Sequence, residues 1–143
     1  MATINNTTFL DFELCDSQVT VPSNQTETEI IDLQISKEAS CDYTVVGGTI
    51  CYTITIVNNS DVNLTFQDDG ASGITFRDPL ATNLSYRPGT FSIQVGSSEP
   101  IYLEPDINAD NVLTFSELEI PANTTMTITF CVRVEYLPTT TPA

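Results

Sequence analysis

Thr49-Ile50-Cys51-Tyr52-Thr53-Ile54-Thr55-Ile56-Val57 is the stretch that decides the fold. Ile50, Tyr52, Ile54 and Ile56 alternate with Cys51, Thr53 and Thr55, so one face of an extended strand is apolar and the other is not. Gly47-Gly48 opens the run as a turn and Asn58-Asn59-Ser60-Asp61 closes it. The same period of two returns near the end of the chain. There Met126, Ile128, Phe130, Val132 and Val134 point inward and Thr127, Thr129, Cys131 and Arg133 outward, after a turn at Pro121-Ala122-Asn123.

Weaker strands fill the interval. Val62, Leu64 and Phe66 alternate, and Ile74 and Phe76 follow a turn at Asp68-Asp69-Gly70. Leu84 and Tyr86 lead into Arg87-Pro88-Gly89, after which Phe91, Ile93 and Val95 alternate. Ile101 and Leu103 precede an acidic turn, Val112 to Ile120 holds one more strand, and Ile31, Leu33 and Ile35 form a strand upstream. Short strands punctuated every 8 to 12 residues describe an all-β, antiparallel β-sandwich, and no segment sustains helical spacing.

The composition agrees. At 143 residues the chain has the length of one ordinary domain. Nineteen Asp and Glu against four Lys and Arg leave a formal charge of −15, a field that repels phosphate backbones and anionic lipid heads. Nucleic acid is therefore not an expected partner. The absence of histidine excludes Ser-His-Asp and Cys-His catalysis and imidazole-containing zinc sites. No apolar run approaches 18 residues, so membrane insertion is not expected. Met1 to Leu14 lacks a basic segment followed by an apolar one, so no secretory signal is read there.

The two ends differ from the middle. Residues 1–28 are rich in Asn, Thr and acids yet carry Leu10, Phe12 and Leu14 in alternation, then Val19 and Val21. Apolar residues so spaced belong on a strand. Either this N-terminal extended arm adds an edge strand to its own domain, or it pairs with the open sheet edge of a neighbouring subunit. Residues 29–137 form the sandwich, and 138–143 are a Pro/Thr tail without core-forming side chains.

From Leu33 to Tyr136 the order of motifs resembles a bacterial and archaeal surface repeat, the domain of unknown function eleven, an immunoglobulin-like module. The resemblance is carried by Ile35-Ser36-Lys37-Glu38-Ala39-Ser40, by Gly48-Thr49 through Asn58, and by Phe76-Arg77-Asp78-Pro79-Leu80. Tyr86-Arg87-Pro88-Gly89-Thr90, Leu118-Glu119-Ile120-Pro121 and Thr125 to Val134 complete it. An inserted Gln67 to Gly73 departs from the pattern, as does Asn123 where the family usually has Gly. The resemblance implies structural duty in stalks, adhesins, sheaths and, in spore-forming clostridia, spore-surface appendages. It implies no catalysis.

Four cysteines are the most informative polar feature. If the two best strands pair antiparallel, as sandwiches of this kind usually pair them, outward-facing Cys51 and Cys131 come level and within reach of a cross-strand disulfide. Two free thiols are the alternative. Cys15 in the arm and Cys41 beyond the first body strand are candidates for a bond between subunits, although four cysteines allow three pairings. The Cys-x-x-Cys spacing of a zinc site is absent.

Asp106, Asn108 and Asp110, with Glu117 at the twelfth position, echo a calcium loop, but Asn111 replaces the usual Gly at the sixth and no flanking helices are apparent, so an ordinary acidic turn is the preferred reading. No metal or other cofactor is expected beyond that calcium candidate. Lys37 is the only lysine; a crosslink to an Asn on the last strand lacks its partner, since Thr124 to Val134 contains none. Seven Asn-x-Ser/Thr sequons begin at Asn5, Asn6, Asn24, Asn58, Asn63, Asn83 and Asn123. Acid pairs such as Asp68-Asp69 are expected among nineteen acids, and no catalytic constellation emerges.

The expectation is a non-enzymatic, self-assembling subunit of a filament or appendage on a cell or spore surface, held by strand addition and disulfides, and hence a homo-oligomer or homopolymer. The alternative is a monomeric adhesion or spacer module that binds a protein or carbohydrate, with or without calcium.

Overall fold

The computed structural model describes residues 3–64 and 74–137. The strand expected through Phe66, the turn at Asp68-Asp69-Gly70, the Gln67 to Gly73 insertion and the 138–143 tail lie wholly or partly outside them. All regular structure among the described residues is β. Four strands come first: β1 (Thr3–Asn6), β2 (Phe9–Leu14), β3 (Ser17–Pro22) and β4 (Thr26–Glu29). The body follows with β5 (Leu33–Ala39), β6 (Thr49–Asn58), β7 (Ile74–Pro79), β8 (Leu84–Tyr86), β9 (Ser92–Val95) and β10 (Ile101–Tyr102). It ends with β11 (Asp106–Ile107), β12 (Val112–Leu118) and β13 (Thr124–Val134).

The body is an antiparallel sandwich of a large and a small sheet. The large sheet runs β10-β9-β13-β6-β5, with β8 pairing the far half of β13; the small one runs β11-β12-β7. The two strands with the cleanest alternation are the two at the centre. They pair without interruption from Thr124↔Asn58 to Arg133↔Thr49. The inward residues Met126, Ile128, Phe130, Val132, Ile54 and Ile56 are buried. Phe91, fully buried, joins the layers: its ring lies 5.4 Å from that of Phe115, 6.2 Å from Phe76 and 6.4 Å from Phe130, centroid to centroid. Such aromatic contacts supply large apolar area together with orientation.

Two irregularities tie the small sheet to this core. The β12–β7 register shifts between Phe115 and Leu118, where Glu117 adopts a φ of +59°. That bulge turns Leu118 back into the core, where plain alternation would place Phe115 and Leu118 on opposite faces. Asn123 has a φ of +52°, left-handed space that Asn tolerates better than most residues. Leu64 forms only an isolated bridge to Ile120, so the strand expected over Val62 to Phe66 is not formed in its described part.

One end of the sandwich is closed by a polar cluster. Asn58 and Ser60 are completely buried. The Asn58 amide donates to the carbonyls of Val62 (3.0 Å) and Pro121 (3.0 Å), and more weakly to Ile120 (3.4 Å), while its oxygen accepts from the Ser60 N–H (3.0 Å). Ser60 Oγ accepts from the Asp32 N–H at 2.6 Å, and the Asn59 N–H donates to the Asp32 carbonyl at 2.9 Å. The approach to β5 is thus pinned at Asp32.

Candidate assembly interface

The leading segment is a hairpin rather than a single extended arm. β2 pairs β3 from Phe9↔Pro22 to Leu14↔Ser17, and β1 pairs β4 from Thr3↔Glu29 to Asn6↔Thr26. The turn is Cys15-Asp16, both with positive φ (44° and 71°), the pairing that suits the right-handed twist of a two-residue hairpin. Between the ladders, Ser23-Asn24-Gln25 oppose only Thr7-Thr8, and the Ser23 N–H bond to the Thr8 carbonyl (2.7 Å) carries the hairpin across this bulge. Each half satisfies one backbone edge of the other and leaves its outer edge unpaired. None of its four strands pairs with β5 to β13.

Register places Leu10 opposite Val21 and Phe12 opposite Val19, so Leu10, Phe12, Leu14, Val19 and Val21 share one face. Asp11 faces Thr20, whose hydroxyl donates to its carboxylate at 2.7 Å, on the other face with Glu13 and Gln18. An amphipathic sheet of this kind ordinarily buries its apolar side. Here Leu10 is 67% exposed and Leu14 59%.

A second apolar surface lies on the body. Leu33, Ile35 and Lys37 pair with Asn58, Ile56 and Ile54, all buried on the inner face, and so point the same way. Yet Leu33 is 45% and Ile35 67% exposed, because the small sheet ends at β7 and leaves β5 uncovered. The gap between β5 and β7 is an apolar groove of about 300 Å³ lined by Leu33, Ile35, Ile56, Ile74, Phe76 and Leu118. Lys37 bridges the gap: its Nζ sits 4.3 Å from the Tyr52 ring centroid and donates to Asp78 Oδ2 at 2.6 Å. Its ammonium is thus paired, although the side chain stays 42% exposed.

Cys51 and Cys131 form a disulfide at the register read from alternation. Their backbone groups bond away from each other: the Ser40 N–H donates to the Cys51 carbonyl and the Arg87 N–H to the Cys131 carbonyl. The pair is therefore a non-hydrogen-bonded one, whose side chains approach most closely. Cys15, at the hairpin tip, and Cys41, just past β5, are free and exposed.

The calcium candidates do not converge. Asp106 is in β11, and the Asn108 side-chain oxygen accepts from the Asp110 and Val112 N–H groups, while Glu117 occupies the β12 bulge. No group of three or more Cys, Asp or Glu among the described residues is placed to hold a metal ion. The sequon at Asn58 has its side chain in the buried cluster. Among the described residues no helix is long and apolar enough to cross a membrane. Sequence reasoning missed the hairpin turn, the Asn58 cluster and the open groove.

The chain matches no known family profile, no curated protein and no solved structure.

Proposed function

We propose that this protein is a structural, non-enzymatic subunit that assembles with copies of itself into a filament or appendage on the outside of a cell or spore. The observation that carries this reading is the hairpin, whose apolar face is left without a partner on its own body. Exposed apolar strands of this kind are ordinarily covered by another chain. The motifs resembling an immunoglobulin-like surface repeat and the disulfide fit an oxidising exterior. Contacts from the hairpin of one copy to the body of the next need not close, and unclosed head-to-tail contacts build open polymers. Cys15 and Cys41 would then lock neighbouring copies covalently.

Negative-stain microscopy of the purified full chain tests this. Ordered polymers are expected, and removal of residues 1–29 should leave folded single particles. Non-reducing gels should show a ladder that Cys15→Ser removes. Isolated particles from the intact chain would instead favour a monomeric adhesion or spacer module.

A further inference from the structure

We infer that the groove between β5 and β7 receives the hairpin of a second copy of this chain, which adds its two strands to the small sheet beside β7. This rests on the self-association proposed above and names the site at which it occurs. Three independent features select the occupant.

The first is strand count. The large sheet is five strands across and the small one three, so two further strands beside β7 would bring the layers to equal width and cover Leu33 and Ile35. Lengths agree: β2 and β3 have six residues each, as does β7. Strands about 4.8 Å apart make a hairpin wide enough to lie over β5.

The second is polarity. With Leu10, Phe12 and Leu14 turned toward the groove, Asp11, Glu13, Gln18 and Thr20 face solvent, in line with outward-facing Thr75 and Arg77 of β7. Arg77 is exposed and has no ion-pair partner among the described residues. Residues 3–29 contain five acids and no cation, so the outer face of the extended sheet would set Asp11 and Glu13 against Arg77.

The third is the tether. Asp32 is held by Asn59 and Ser60, which leaves only Ile30 and Ile31 between the end of β4 and the pinned backbone. Three residue steps reach about 10 Å, and on its own body the hairpin pairs with no strand and leaves Leu33 and Ile35 exposed, so the groove stands open to a second copy.

A mixing experiment tests the site. Phe12→Asp disables the hairpin face, and Ile35→Asp, at a position already two-thirds exposed, disables the groove. Each variant alone should sediment as a monomer. An equimolar mixture should give one-to-one dimers and nothing larger, because only one competent hairpin meets one competent groove. As a second variant, Arg77→Glu should weaken assembly at least tenfold and Glu13→Arg should restore it. Polymers from Ile35→Asp alone would overturn the groove while leaving the filament reading intact. Wild-type closed dimers abolished by either substitution would uphold the groove and overturn the open polymer. A wild-type monomer, including one whose hairpin folds onto its own groove, would overturn both.

Discussion

Removing the Cys51–Cys131 bond should destabilise the body by an amount set almost wholly by the unfolded chain. The two cysteines are 80 residues apart in sequence, and closing a loop of that length lowers the entropy of the unfolded state by an amount worth about 4.5 kcal/mol at room temperature. Little native structure should be lost with it. The strands on either side remain paired from Asn58 to Thr49, and the backbone groups of both cysteines bond to Ser40, Arg87 and Thr90. In the double variant Cys51→Ala/Cys131→Ala, urea unfolding should therefore lose about 3–4.5 kcal/mol with a nearly unchanged folded-state spectrum. Unfolding entropy near 2.1 cal/mol/K per residue amounts to about 0.3 kcal/mol/K for a chain of this size, so the melting midpoint should fall by about 10–15 °C. The urea slope should rise, since an unlinked chain exposes more surface when it unfolds. A loss below about 1 kcal/mol would show that the unfolded chain already holds these strands together, and the entropic argument would be wrong.

Three further outcomes follow from the same coordinates. Asn58→Asp sets a carboxylate against the carbonyls of Val62, Ile120 and Pro121 in a fully buried site, and should cost about 3–5 kcal/mol in urea unfolding. The hydrogen bond from the Asn123 amide holds the exposed Asp61 carboxyl below the ordinary carboxylate range. Its contribution is present above the unfolded-state value and disappears as pH falls through the folded one; an NMR titration should show this depression, and Asn123→Ala should diminish it. Each copy carries −15, so raising ionic strength from about 10 mM to 150 mM, which shortens the screening length from about 30 Å to 8 Å, should lower the concentration at which polymers form. Light scattering that falls with salt would mean that pairing of Arg77 with acids outweighs the general repulsion.

The centre of the fold is legible because its signal is local and its environment is symmetric. β6 and β13 are each flanked on both edges by strands, so alternation in sequence becomes alternation in burial, and the cysteine pair follows from it. The strand β5 reads equally well as a strand, yet its burial depends on what lies across the layer gap, which no local pattern encodes. The hairpin was hidden by its turn. Cys15-Asp16 lacks the Asn-Gly or Asp-Gly signature that announces two consecutive left-handed residues, so Phe9–Leu14 and Ser17–Pro22 read as pieces of one arm. Asn58 reads as the residue that ends a strand. Only the meeting of Val62, Ile120 and Pro121 around it shows that its amide is a structural donor.

These misreadings share a physical origin in the way stability is distributed. The staple between β6 and β13 and the stacked rings of Phe91, Phe115 and Phe130 line no part of the groove, so the sandwich can hold its shape while β5 remains uncovered. A body with that margin can keep an incomplete layer without unfolding. The same chain carries a two-stranded, one-sided hairpin joined by a short tether to a pinned residue. Neither surface has reason to be apolar in a monomer: Ile35 and Leu10 are each 67% exposed, and burying such side chains is worth about 1.5–3 kcal/mol apiece. Several such burials per contact can offset the repulsion between acidic copies, whereas a spacer module working alone would gain nothing from either face.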